Sequence, residues 1–298
     1  MKHISIILFS FISLFCHSQD FNAIRNINGT KLFISVAGSG EPIIALHGGP
    51  GLNHSYFKPH LSGLEKNFRV IYYDQRACGQ SAIPSPDSIS IQFLVNDLEE
   101  IRKEFKIEKL NLLAHSWGAL LGAHYALKYP DHVRRIIFSN PAFFSREYDR
   151  EAGELTKKKT TKEDSTQRAS VMAAGINMTS AQAEQLFRIS FRASAFNRKN
   201  IDRLNLNIPE NFQTANRNLF GGLMKDPEMR KNLYDSLSKM KFPALVIHGE
   251  ADILPMSSIH RLKSNLPYGE LVVLNSSGHF PFLEEQENYL MIVRTFFK

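Results

Sequence analysis

The chain has 298 residues, 43% hydrophobic and 22% charged, which excludes a disordered or fibrous polymer and suits one large domain or a domain carrying an insertion. Its formal charge of +7 is scattered rather than striped, apart from Lys157, Lys158 and Lys159, so it points to no nucleic-acid partner. No solenoid-length repeat or low-complexity tract interrupts it.

The first element is a leader. Lys2 gives a positive start, and Ile4 to Phe15 form an apolar run of signal-peptide length. A bilayer span needs roughly 20 apolar residues, so this run is too short to be one. Cys16 and Ser18 are small enough for cleavage after Ser18, which predicts a periplasmic or secreted protein with no transmembrane span. A lipid anchor on Cys16 is the alternative, disfavoured by the bulk of Phe15. Cleavage after Ser18 leaves Cys78 alone, so no intramolecular disulfide is available.

From Phe21 to Ala37 a short alternating pattern with Asn28-Gly29 at its centre predicts a β-hairpin. Apolar runs follow at Pro42–Leu46, Phe68–Tyr73, Leu110–Ala114, Val133–Ser139, Ala244–Ile247 and Leu271–Leu274. Runs that are apolar throughout suit strands buried on both faces of a parallel sheet. Between them Ile91, Leu94, Val95, Leu98, Ile101 and Phe105 recur at helical spacing, predicting a helix over Ile91–Phe105. Gly118–Lys128, Ser257–Leu266 and Leu283–Phe297 read as helices too. Residues 141–240 carry no strong strand signal and turn polar and helical, too long a stretch for a loop. The expected organisation is therefore a leader over 1–18, an α/β domain over 19–140 and 241–298, and a helical cap over 141–240.

Ala114-His115-Ser116-Trp117-Gly118 follows one strand and opens a helix, the setting of a G-x-S-x-G nucleophile elbow with alanine in place of the first glycine. The turn needs small flanking residues because its serine is strained, and alanine meets that need. His47-Gly48-Gly49-Pro50-Gly51 follows another strand and can aim backbone N–H groups at a reacting carbonyl oxygen. The oxyanion hole is assigned to the N–H groups of Gly49 and Trp117, with Gly48 in reserve. An acid and a histidine should follow in that order, and Asp252 and His279 each lie just past a strand end. The expected triad is Ser116, Asp252 and His279, with Glu250 the rival acid. His47, His115 and His248 adjoin these motifs and read as structural hydrogen-bond partners.

His54 and His60 lack zinc-like spacing and Cys78 has no cysteine partner, so no metal is expected. Asp74-Gln75-Arg76-Ala77-Cys78-Gly79-Gln80-Ser81 lacks the Walker lysine and the dinucleotide glycine spacing, so no nucleotide cofactor is expected either. It reads as a rigid loop near the site entrance, braced by Asp74 and Arg76.

Together these segments resemble the α/β-hydrolase superfamily: a mostly parallel sheet flanked by helices, with a helical cap inserted between strands. Within it His47-Gly48-Gly49-Pro50-Gly51, Asp74-Gln75-Arg76, Ser116-Trp117-Gly118, Gly249-Glu250-Ala251-Asp252 and Gly278-His279 resemble the proline iminopeptidases. That resemblance implies a metal-free serine aminopeptidase that releases N-terminal residues from small peptides, with cap carboxylates gripping the free amine. The cap departs from the family: a Glu-Asn-His-Tyr-Phe-like stretch is replaced by Phe191-Arg192-Ala193-Ser194-Ala195-Phe196-Asn197. Glu184, Glu210 and Glu228 are the remaining candidates for the amine's partner. The alternatives are a carboxylesterase, favoured by an apolar pocket, and a non-catalytic binding protein on the same fold. Serine at position 116 excludes the dehalogenase and epoxide-hydrolase mechanisms, which need aspartate there.

Overall fold

Asn28 and Gly29 make the first tight turn because both take left-handed backbone angles, φ 47° and 73°, as a two-residue hairpin requires. The turn joins β1 (Phe21–Ile27) to β2 (Thr30–Ala37). The computed structural model describes residues 20–298, and the expected leader, with Cys16 and Ser18, lies outside them. The strands β3 (Glu41–Leu46), β4 (Phe68–Tyr73), β5 (Leu110–His115), β6 (Val133–Ser139), β7 (Ala244–Gly249) and β8 (Gly269–Leu274) complete one sheet. Its order is β1-β2-β4-β3-β5-β6-β7-β8. The first two pairings are antiparallel and the rest parallel.

The uniformly apolar strands are explained by the two cores they separate. Ile44 and Leu46 of β3 join Leu112 and Ala114 of β5 on one face. Ile43 and Ala45 join Leu113 and Ile137 on the other. Each leucine or isoleucine among them, taken fully out of water, contributes about 1.5–3 kcal/mol. The expectation of burial on both faces fails for the Leu271–Leu274 run: β8 is the sheet's edge, and Leu271, Val272 and Val273 stay half-buried.

The helix α1 (Ile91–Glu104) starts where the Ser90 hydroxyl accepts the Phe93 N–H, and it buries the expected apolar stripe. It stops one residue before Phe105, because Lys106 turns the chain at φ 53°. The helix α2 (Trp117–Lys128) follows β5. Between β6 and β7 the described chain forms no strand, only 3-10 turns and α3 (Asp149–Lys159), α4 (Lys162–Met172), α5 (Ser180–Phe191) and α6 (Phe212–Leu223). Capping boxes start α4 and α5, Thr161 with Asp164 and Thr179 with Gln182. Leu204, Leu206, Ile208 and Phe212 share a core with Leu52, Phe57 and Phe282, so this insertion is seated on the sheet domain. The helix α6 comes especially close: a Cβ at Gly222 would stand 2.5 Å from the carbonyl oxygens of Pro86 and Ile89.

After α7 (Met256–Asn265) the chain returns as two helices rather than the single one expected over Leu283–Phe297. These are α8 (Pro281–Glu284) and α9 (Gln286–Phe297), broken at Glu285. The break has a cause: Glu284 accepts the N–H groups of Gly278, Phe196 and Asn197, and Glu285 accepts that of Ser276. Both carboxylates are spent holding the loop that carries His279. Among the described residues no helix is long and apolar enough to cross a membrane.

Candidate active site

Ser116 sits between β5 and α2 at φ 54° and ψ −120°, a backbone state that a non-glycine residue adopts only when its surroundings impose it. Close approach does so here. A Cβ at Gly118 would lie 2.3 Å from the Leu46 carbonyl oxygen, so only glycine lets α2 begin against β3. Ser116 donates its own N–H to Ser139, and its carbonyl accepts from Ala119 and Ala142. The elbow is thereby tied to the end of β6, to the first turn of α2 and to the loop that follows β6.

Asp252 and His279 meet Ser116 there. His279 Nε2 lies 3.0 Å from Ser116 Oγ, and His279 Nδ1 lies 2.8 Å from Asp252 Oδ2. Asp252 is 4% exposed; its Oδ2 also accepts from Asn140 Nδ2 at 2.7 Å, and its Oδ1 from the Ile253 N–H at 2.7 Å. Burial alone would raise its pKa, but the His279 ring and the donated hydrogen bonds outweigh that and hold the carboxyl at about 2. With the acid ionised, Nδ1 of His279 carries the proton and Nε2 is free to accept from the serine hydroxyl. Glu250 does not compete: it is exposed to solvent, and only its backbone is engaged, through Leu274.

The glycine-rich loop divides its donors. The Gly48 N–H is already given to the Tyr56 hydroxyl, so Gly48 is unavailable as the reserve oxyanion donor. The N–H groups of Gly49 and Trp117 find no acceptor among the described residues. Trp117 is the first residue of α2, where a helix has no internal partner for its N–H. The Tyr56 hydroxyl donates to His115 Nδ1 at 2.8 Å, and His115 Nε2 donates to the His279 carbonyl at 2.7 Å. Burial, then the nearby His279, push the His115 pKa down to about 3, so the ring is neutral. His47 likewise serves a structural bond, to the Gly48 carbonyl, whereas Nδ1 of His248 has no partner among the described residues.

A cavity of about 80 Å³ opens on Ser116 and His279, walled by Leu52, Tyr56, Phe187, Phe191 and Phe280. A second of about 360 Å³ shares Gly49 and Pro50 with it and is lined by Trp117, Phe143, Met229 and a charged outer rim of Arg146, Asp149, Glu228 and Lys231. Of the three cap carboxylates that are candidates for the amine's partner, only Glu228 reaches this space, and Lys231 already pairs with it. Glu184 is paired with Arg188 at 2.6 Å, and Glu210 is exposed on a turn. The Phe191–Asn197 stretch presents no carboxylate at all. Its Phe191 ring packs on Phe280, and its Ser194 carbonyl accepts the His279 N–H at 2.7 Å.

Asp74 and Arg76 do brace their loop, but from within the fold rather than at an entrance. Asp74, Gln75 and Arg76 are all buried at 1% exposure beneath the site. Asp74 accepts from the His54 N–H and ring at 2.9 and 2.7 Å and from the Gln80 N–H at 2.9 Å, while Arg76 is held by Asp97. Tyr56 and Asn140 escape sequence reasoning. Asn140 had a signal, a polar residue immediately past the carboxyl end of β6, the edge on which such sheets bind ligands. Tyr56 had none, because its partners lie 8 and 59 residues away.

A family model described as the alpha/beta hydrolase fold matches residues 41–286. The chain is 28% identical over 268 residues to a proline iminopeptidase of Clostridium botulinum, covering 86% of this chain and 89% of that one. Among solved structures it is similar to a proline iminopeptidase from Mycobacterium smegmatis, with TM-score 0.67 and 21% identity over 93% of this chain and 97% of that one. An esterase from Exiguobacterium antarcticum matches equally well, with TM-score 0.67 and 21% identity over 91% and 97% of the two chains. At that identity the two structures speak to the fold alone.

Proposed function

The chain belongs to the α/β-hydrolase fold family, and on that footing we propose that it is a serine hydrolase acting through an acyl-enzyme on short peptides or aminoacyl amides with a free amino terminus. Asp252, His279 and Ser116, joined end to end at 2.8 and 3.0 Å beside two unengaged backbone N–H groups, carry this reading. Ser116 Oγ attacks the substrate carbonyl carbon while His279 Nε2 takes its proton, and Asp252 steadies the imidazolium. The carbonyl oxygen, now negative, takes hydrogen bonds from the N–H groups of Gly49 and Trp117, each worth about 3–4 kcal/mol in the transition state. Collapse expels the leaving amine, which receives the proton from His279. Water then attacks the acyl-enzyme by the same steps, restoring Ser116 and freeing the acid.

The substrate class draws its support from the relatives named as proline iminopeptidases and from Glu228, whose carboxylate lines the compartment beside Gly49 and Trp117. A carboxylesterase is the second reading, favoured by the apolar wall of Leu52, Phe187, Phe191 and Phe280 next to Ser116. Purified protein and Ser116→Ala should be assayed on prolyl-, alanyl- and N-blocked aminoacyl-nitroanilides beside short-chain nitrophenyl esters. Ser116-dependent release from free-amine anilides, lost on blocking the amine, supports the aminopeptidase. Ester cleavage alone transfers the assignment to a carboxylesterase, and inactivity on every substrate leaves a binding protein.

A further inference from the structure

Gln75 touches none of the three groups that would do the chemistry, yet every polar atom of its side chain is engaged next to them. Its backbone N–H donates to His47 Nε2 at 3.0 Å, and its amide Nε2 donates to the His47 carbonyl at 2.8 Å. Its Oε1 accepts the indole N–H of Trp117 at 2.9 Å. An indole nitrogen only donates and a carbonyl only accepts, so these partners fix which way the amide points. They also fix the tautomer of His47. With Nε2 accepting from Gln75, the ring proton sits on Nδ1, which donates to the Gly48 carbonyl at 2.8 Å. Water does not reach this assembly, with His47 at 0%, Gln75 at 1% and Trp117 at 4% exposure. Burial pushes the His47 pKa down to about 4, so the ring stays neutral and keeps this one donor pattern near neutral pH.

The consequence lies in one peptide unit. The Gly48 carbonyl and the Gly49 N–H belong to the same planar trans amide and point in opposite directions. Holding the carbonyl against His47 therefore aims the Gly49 N–H the other way, and Gly49 lines the cavity that contains Ser116. The second donor, the Trp117 N–H, belongs to the residue whose indole Gln75 holds. Asp74 and Arg76 immobilise Gln75 from either side through His54 and Asp97.

We infer that Gln75 is the positioning residue of the oxyanion hole, clamping both segments that supply its donors: the glycine-rich loop through His47, and the elbow through the Trp117 indole. This rests on the serine-hydrolase reading above. A clamp of this kind acts on the transition state, because the oxygen becomes a strong acceptor only when it is charged. Loss of a merely structural glutamine would lower stability without singling out turnover.

The test uses Gln75→Met, which keeps length and volume and loses every side-chain hydrogen bond, with His47→Asn and His47→Gln beside it. Asparagine can place its amide nitrogen where His47 Nδ1 stands, whereas glutamine reaches toward the Nε2 position. Wild-type protein is first labelled with a fluorophosphonate and the modified residue mapped. Each variant is then measured for kcat, KM, the pH profile of kcat/KM and the affinity of a boronic acid carrying the substrate's acyl group. The expected result for Gln75→Met is a fall in kcat of about a hundredfold with KM nearly unchanged. Boronate affinity should fall in parallel, and the acid limb should stay unmoved because the base is untouched. His47→Asn should retain more activity than His47→Gln. A folded Gln75→Met with wild-type kcat overturns the clamp alone. Should that variant not fold, equal activity in the two His47 variants overturns it. Labelling that misses Ser116 in the wild type overturns the hydrolase reading, and the clamp with it.

Discussion

Burial lowers the pKa of five histidines, three of them far below neutral, and this makes the fold acid-sensitive between pH 7 and pH 5. Burial pushes His47 and His124 down from 6.5 to about 4 and His115 to about 3. Each accepts or lacks a partner in a way that a second ring proton would upset. His47 Nε2 accepts the Gln75 N–H, His115 Nδ1 accepts from Tyr56, and His124 Nε2 has no partner among the described residues. Below 6.5 the unfolded chain takes up protons that the folded chain refuses, so acid favours unfolding; above it both states are neutral and the effect vanishes. Between pH 7 and pH 5 each ring should cost about 2 kcal/mol, and the three together about 5–6 kcal/mol. That is comparable to the whole stability of many domains, about 5–15 kcal/mol. Asp252, Asp164 and Glu99, each held at about 2, stay almost fully ionised and add little slope, while Asp97, pushed up by burial, takes up protons more readily when folded and works against the histidines. Urea denaturation at pH 7, 6 and 5, followed by the fluorescence of Trp117, the one tryptophan in the chain, measures the effect. His124→Leu should remove about 2 kcal/mol of the pH dependence. A stability that changes by less than about 1 kcal/mol between pH 7 and pH 5 would refute the reasoning.

Other perturbations act on single contacts. Tyr56→Phe strands the Gly48 N–H and His115 Nδ1 without partners and should destabilise by about 2–4 kcal/mol in the same denaturation assay. Asn140→Ala removes the side chain that steadies Asp252 and should lower kcat about tenfold or more with KM little changed, read from initial rates. Gly118→Ala puts a Cβ 2.3 Å from the Leu46 carbonyl and should cost more than about 3 kcal/mol or prevent folding. Gly153→Ala, in open space on α3, should instead stabilise by about 0.5–1 kcal/mol, seen as a rise in the urea midpoint. Glu228→Gln should raise KM for free-amine anilides and leave nitrophenyl esters unaffected; equal effects on both would remove Glu228 from amine recognition.

Much of this architecture is legible in sequence because it is written by near neighbours. Asn28-Gly29 reads as a hairpin turn because few residues accept two successive left-handed angles. The runs at Ile43 to Leu46 and Leu110 to Ala114 read as buried parallel strands because both their faces meet a core. Ser116, Asp252 and His279 each stand just past a strand end, and parallel strands bring such positions to one edge. Where an outlying partner intervened, local pattern misled. Apolarity at Leu271 to Val273 does not reveal that β8 has no neighbour on its far side. Helical periodicity through Leu283–Phe297 does not reveal that Glu284 and Glu285 are drawn away to hold the His279 loop.

The chain's own order of residues thus determined its strands, its turns and the small residues that let Ser116 take a strained backbone, since each depends on atoms a few positions away. Only the tertiary structure decided that Tyr56 takes Gly48 out of the oxyanion hole, that Asn140 rather than a neighbour steadies Asp252, and that Gln75 joins His47 to Trp117. Those hydrogen bonds form between segments 8 to 112 residues apart. A buried donor left without an acceptor costs about 1–3 kcal/mol, so packing, which sets which groups lose water together, also favours particular partners.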